Sequence, residues 1–205
     1  MRIVAGAWRG RRLTAPAGAA TRPTADRVRQ ALFDMLLHAP WGGRALVEGA
    51  AVLDAFAGTG ALGLEALSRG AATATFFERD RAALAALRAN IAACGAEDRA
   101  RVLQADATRP PPGMPCRLVF LDPPYGEGLV ARAAAALAAA GWIAPGALIL
   151  GELGRAEALP TPPGALLAER AHGAARLAVW QAAEARAGGG LPASPRAPSG
   201  GAAPG

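Results

Sequence analysis

Ala51-Val52-Leu53-Asp54-Ala55-Phe56-Ala57-Gly58-Thr59-Gly60-Ala61-Leu62-Gly63 decides the fold. The run from Ala51 to Phe56 is apolar and short, as a strand buried on both faces must be, and it opens into a loop with glycines at 58 and 60. Those glycines let the backbone turn tightly and approach a ligand, and Gly63 lets the following helix lie close to the strand. The helix is expected from about Ala61 to Arg69, with Gly70 as its stop. Strand, glycine turn and helix in this order begin an open α/β sheet of parallel strands, which holds its ligands at the carboxyl ends of the strands.

Downstream the same unit repeats. Ala74 to Glu78 reads as the second strand, and Glu78 falls 18 residues after Gly60, where an acid can accept both hydroxyls of a ribose. A helix from Asp80 to Cys94 carries Leu84, Leu87 and Ile91 on one face. Arg101 to Gln104 is a third strand, followed at once by Asp106-Ala107, a carboxylate and a backbone N–H able to read the amino group and ring nitrogen of adenine. The fourth strand, Leu118 to Leu121, ends in Asp122-Pro123-Pro124-Tyr125. Neither proline can donate to a sheet ladder, so the strand stops in a rigid, extended turn. Asp122 and the Pro123 carbonyl can accept the hydrogens of an exocyclic amine, while Tyr125 can stack on a base taken out of its helix. Asp-Pro-Pro alone is more often an ordinary strand exit. Asp54, Glu78, Asp106 and Asp122 near the ends of successive strands mean more together, since they converge on one edge of the sheet. Leu129 to Ala140 is a further helix, Ala147 to Glu152 a fifth strand, and Leu166 to Ala171 with Ala175 to Trp180 a closing antiparallel pair turning at His172-Gly173.

The 205 residues allow one domain with a substantial core, and no apolar run is long enough to span a bilayer. No signal pattern opens the chain, so a soluble cytoplasmic protein is expected. Cys94 and Cys116 match no metal-ligand spacing, and with His38 and His172 scattered no metal site is expected. All 22 basic residues are arginine, which looks like compositional bias, so their position says more than their number. Residues 1–29 hold seven arginines against one acid, whereas residues 30–205 hold 15 of each, so the whole formal charge of +6 sits at the N-terminus. A basic arm beside a neutral body attracts a phosphate backbone. Arg2 to Val4 and Trp8 to Leu13 read as a hairpin around Ala5-Gly6-Ala7, and the hairpin must lean on the domain or on a substrate. A helix then begins with Thr24 as N-cap, its apolar stripe formed by Val28, Leu32, Met35 and Leu36. Arg27 and Arg29 fall off that stripe and join Arg9, Arg11, Arg12 and Arg22 as expected nucleic-acid contacts. The expected organisation is a basic hairpin arm (1–20), a catalytic domain (21–184) and a disordered Gly/Pro/Ala tail (185–205).

Gly58 to Gly63 also fits the dinucleotide pattern G-x-G-x-x-G, which makes a nicotinamide-dependent oxidoreductase a rival reading. Asp54 tilts against it, because a carboxylate before the loop would repel a pyrophosphate but could bind the amino group of an amino-acid tail. A DNA adenine-N6 methyltransferase is a second rival, since adenine N6 is an exocyclic amine of the same kind. A cofactor-binding RNA chaperone without turnover is a third.

The chain resembles the RsmD family of bacterial 16S rRNA guanine-N2 methyltransferases, which modifies guanine 966. The resemblance rests on Met1-Arg-Ile-Val-Ala-Gly6 with Trp8-Arg-Gly-Arg11; on Arg22-Pro-Thr24, Asp26-Arg-Val-Arg29 and Ala31-Leu-Phe33; on Leu53 through Ala71; and on Asp122-Pro-Pro-Tyr125. It extends from Met1 to about Trp180. Gln30 stands where the family commonly has Glu, and Ala174-Ala175 follow His172-Gly173 where Tyr-Gly-X-Thr is usual. The resemblance implies a class I methyltransferase: a seven-stranded, mostly parallel, Rossmann-like sheet with helices on both faces, binding S-adenosylmethionine. It implies that Asp54, Phe56, Gly58 and Gly60 serve the methionine moiety, Glu78 the ribose and Asp106-Ala107 the adenine, with Asp122, Pro123 and Tyr125 catalytic. Arg9, Arg11, Arg12, Arg22 and Thr24 would meet 16S rRNA, within a small-subunit particle, and the enzyme would act as a monomer.

Overall fold

Runs of apolar residues that need burial on both faces form the parallel centre of one sheet: β1 (Ala51–Asp54), β2 (Thr73–Glu78), β3 (Ala100–Gln104), β4 (Cys116–Leu121) and β5 (Ile143–Gly154). β6 (Gly164–His172) and β7 (Ala175–Ala182) complete it, in the order β3-β2-β1-β4-β5-β7-β6. β7 lies between β5 and β6 and runs antiparallel to both. This computed structural model describes residues 1–16, 23–124, 128–160, 164–173 and 175–184, with backbone alone at 23–26 and 172. Arg22, Tyr125, the Thr24 side chain and the expected tail therefore lie outside the described residues.

The helices are α1 (Pro23–His38), α2 (Ala61–Ser68), α3 (Arg81–Cys94) and α4 (Leu129–Ala139). Because successive side chains of a strand point to opposite faces, β4 feeds two cores. Leu118 and Phe120 pack with Phe33, Leu64 and Leu87 from α1, α2 and α3. Val119 and Leu121 pack on the other face with Val130 and Leu137 of α4 and with Trp142 and Trp180. The α1 stripe of Val28, Leu32, Met35 and Leu36 is buried as its spacing predicts. Asp80 caps α3 by accepting the Ala83 N–H at 2.8 Å, and Gly95 ends that helix with φ 60°. Among the described residues, no helix is long and apolar enough to cross a membrane.

The N-terminal segment is packed into this body. Ile3 and Leu13 belong to the core beneath α1 and α2. One antiparallel bridge, Arg2 to Arg12, joins its two limbs, and the turn between them is wider than the sequence suggests. The reason is that Val4, Ala5, Ala7 and Trp8 direct their N–H groups to α2 and not across a hairpin. Val4 and Ala5 donate to the Glu65 carboxylate at 2.7 and 2.9 Å, Ala7 to the Ser68 carbonyl at 2.8 Å and Trp8 to Ser68 Oγ at 3.0 Å. Gly6, at φ +81°, sits so close to Ser68 that a Cβ would fall 1.9 Å from its carbonyl oxygen. Glu65 is itself fully buried, with Arg69 Nε at 2.8 Å and Arg29 Nε at 3.6 Å. Arg29 thus departs from the expectation of a nucleic-acid contact: it is 4% exposed, pairs with Glu65 and donates to the Arg2 carbonyl. It serves the interior because a buried carboxylate needs cations around it.

Candidate active site

The carboxyl ends of β1 to β4 open on a cavity of about 480 Å³, within the range that encloses a small-molecule cofactor. Its wall includes Phe56, Gly58, Glu78, Asp106, Ala107, Asp122 and Pro123, all singled out from the sequence, and also Arg79, Thr108, Leu129 and Arg132, which were not. Asp54 and Gly60 stand behind that wall.

Asp54 is 1% exposed, and its Oδ2 accepts the Gly63 N–H at 2.9 Å. Gly63 is three residues past Gly60, the residue that caps α2 without a side chain, so Asp54 satisfies an orphan donor of the helix from the preceding strand. Its other oxygen, Oδ1, is buried without a hydrogen-bond partner among the described residues. Burial pushes the Asp54 carboxyl up to about 7; the negative charge of Glu78 adds to this, and the Gly63 bond opposes it. Gly60 looks inward too: it has φ +81°, and a Cβ there would fall 2.4 Å from Leu87 Cδ1 of α3. Asp54 and Gly60 thus support the glycine loop from within.

Gly58 is the glycine that faces the cavity. It adopts φ +53°, and nothing lies within 4 Å of where a Cβ would stand, so a ligand can come up against bare backbone. Its N–H donates to Glu78 Oε2 at 2.8 Å, tying the glycine loop to the end of β2. Glu78 Oε1 takes the N–H groups of Arg79 and Asp80 at 2.7 and 2.8 Å. A carboxylate has about four lone-pair sites. Three such bonds leave Glu78 room for one further strong hydrogen bond, fewer than the pair expected from two ribose hydroxyls. Across the cavity, Asp106 Oδ1 accepts both the N–H and the hydroxyl of Thr108 at 2.8 Å, and these bonds hold its carboxyl below the ordinary carboxylate range. Its Oδ2 looks toward Arg79 Nη1 at 3.8 Å.

Asp122 opens to the cleft, with protein enclosing it on the other sides. That enclosure, together with the negative charges of Glu152 and Asp54, raises its carboxyl well above the ordinary range. Glu152, half-buried on β5, stands in the sequence as a strand end without a role. Its signal is available there: it is one more acid at one more strand terminus.

Arg9, Arg11 and Arg12 are exposed and do not line the cavity. The base of the N-terminal segment touches the glycine loop, with Thr59 Oγ1 donating to Met1 Sδ at 3.4 Å and Asn90 Nδ2 bonding the carbonyls of both Thr14 and Thr59 at 2.9 Å. Its turn lies at the other end of the sheet. Trp8 bonds to the last residue of α2, and its ring lies under Arg99, which immediately precedes β3, with the guanidinium 5.2 Å from the ring centroid. Among the described residues, the cations on the cavity wall are Arg79 and Arg132.

A seven-stranded sheet in this order, with a glycine loop after β1 and acids at the carboxyl ends of its central strands, defines the class I methyltransferase fold. The family described as "Conserved hypothetical protein 95" matches residues 1–181, and the chain belongs to it. Over 165 residues the chain is 45% identical to ribosomal RNA small subunit methyltransferase D of Escherichia coli, covering 80% of this chain and 79% of that protein. It is 36% identical over 187 residues to the protein of the same name from Haemophilus influenzae, covering 88% and 93%. The solved structure of yhhF from Escherichia coli superposes with a TM-score of 0.78 at 42% identity, covering 90% of this chain and 99% of that one.

Proposed function

We propose that this protein transfers a methyl group from S-adenosylmethionine to the exocyclic N2 of a guanine in small-subunit ribosomal RNA, the position numbered 966 in the family. The observation that carries the reading is one shared cavity: Asp122 and Pro123 at the exit of β4 line the same space as Gly58, Glu78 and Asp106-Ala107. A grip for an exocyclic amine thus meets a set of groups suited to a nucleoside cofactor. The relatives named as ribosomal RNA small subunit methyltransferases support the choice of substrate. The protein is read as a cytoplasmic monomer acting on 16S rRNA within a small-subunit particle.

The residues on the cavity wall fit that cofactor. Gly58 offers bare backbone and Phe56 an apolar wall to the methionine moiety, Glu78 keeps one strong acceptor position for the ribose, and Asp106 with the Ala107 N–H suits the adenine edge. When bound, the cofactor supplies a sulfonium methyl already activated by positive charge. The chain's own work is proximity and alignment. Asp122 and the Pro123 carbonyl accept the N2 hydrogens, drawing the nitrogen toward tetrahedral geometry, and Asp122 or water takes the proton released on transfer. Tyr125 stacks on the guanine, Arg22 and Thr24 contact the RNA, and Arg9, Arg11 and Arg12 bind its backbone at a distance from the cavity.

The test offers labelled S-adenosylmethionine with unmodified small-subunit particles and, in parallel, adenine-containing duplex DNA. Label recovered as N2-methylguanine in the rRNA is the expected result. Label in DNA alone would overturn the substrate, and no label in either, with the cofactor bound, would overturn the activity.

A further inference from the structure

β4 and β5 run parallel and in register at Leu121 and Gly151. The next residue along each chain segment is an acid, Asp122 just past the end of β4 and Glu152 within β5, and the register of the strands brings the two side by side. Asp122 opens to the cavity, while Glu152 is half-buried beside it. A third carboxyl lies behind the pair on β1: Asp54 is in register with Phe120 and Phe120 with Leu150, two residues before Asp122 and Glu152. Three acids near the ends of three adjacent strands repel one another when charged, so each acts on the titration of the others.

We propose that Glu152 is a positioning residue of the transfer site, its carboxylate lying against Asp122 and fixing the charge and orientation of the group that meets the substrate amine. The inference rests on the reading of Asp122 given above. In the transfer, the amine lone pair forms the new N–CH3 bond, the S–CH3 bond breaks with its electron pair left on sulfur, and the N–H proton passes to the Asp122 carboxylate. A neighbouring negative charge makes Asp122 a stronger acceptor for that proton. It also means that Asp122 loses activity by protonation at a higher pH than an isolated aspartate would. Among the described residues, the charged groups around Asp122 are Glu152 from β5, Asp54 from β1, itself acted on by Glu78 of β2, and Arg132 of α4 on the same cavity wall.

The experiment compares wild type with Glu152→Gln and Glu152→Asp, each shown to be folded by its binding of S-adenosylhomocysteine. Two readouts are taken: kcat for methyl transfer to small-subunit particles across pH 5–9, and titration of the Asp122 carboxyl by carbon-13 NMR. Removing the charge should shift the acid limb and the Asp122 titration down by about one pH unit or more, with lower kcat on the plateau. Glu152→Asp should keep both near their wild-type positions. A limb and a titration that stay put in Glu152→Gln overturn the proposal, whether or not kcat falls, because a merely structural role gives that result. Failure of wild type to methylate guanine would overturn the substrate reading alone, since the Asp122 titration tests the pair without turnover.

Discussion

Asp122 and Asp54 are both carboxylates at strand ends, yet the protein uses them differently because one opens to the cleft and the other is walled in. Replacing Asp122 by Ala is expected to lower methyl transfer about a hundredfold or more while S-adenosylhomocysteine binding persists, which isothermal titration calorimetry and a labelled-transfer assay together check. Asp54 predicts a pH effect on the fold itself. Its carboxyl titrates near 7 in the folded chain and near the ordinary 3.8 when unfolded. The folded state therefore holds a proton that the unfolded state gives up across that window. The Asp54 contribution is most favourable below pH 4 and declines as pH rises toward 7. Urea unfolding of wild type and Asp54→Asn at several pH values checks this: the difference in stability between the two should move in favour of the variant as pH rises from 4 to 7. An unchanging difference would refute it.

Among the elements, α2 bears the heaviest load. Its N-terminus rests on Asp54, its Gly63 lies so close to β2 that a Cβ would fall 2.3 Å from Phe76 Cε1, and its Glu65 anchors the first residues of the chain. Gly63→Ala should destabilise by about 1–3 kcal/mol, because the buried Phe76 ring has to move. Glu65→Ala should cost about 3–5 kcal/mol, since it strands Arg29 and Arg69 in the interior without their carboxylate. Chemical denaturation measures both. The role of Gly63 was readable from the sequence, as were the strands of the parallel half and the four acids, because short apolar runs, glycine spacing and prolines are local signals. Glu65 and Arg29 were not. An arginine off the apolar stripe of a helix looks solvated until a distant acid is known to lie over it, and no local pattern links Arg29 to Glu65. Arg79, Thr108 and Arg132 escaped for the same reason, since the wall they share forms only when separate strand ends meet.

At the scale of the molecule, the cavity and the turn of the N-terminal segment occupy opposite ends of the sheet, with α2 between them. Replacing Arg9, Arg11 and Arg12 together by Gln should therefore weaken RNA binding without altering cofactor affinity. It should reduce the slope of log K against log salt by about 0.7–0.9 for each phosphate that the variant no longer neutralises. Filter binding at several salt concentrations measures it, and an unchanged slope would remove these arginines from the RNA surface. The tie between the first residues and the rest of the chain also has a consequence in time. Val4, Ala5 and Trp8 bond to partners 60–61 residues later, and Thr14 to one 76 residues later. During synthesis at roughly 5–20 residues per second, the opening segment waits several seconds before those partners exist. What the ribosome makes first cannot take its place until α2 and α3 have followed it, so the opening segment settles only once the repeats that hold it have been made.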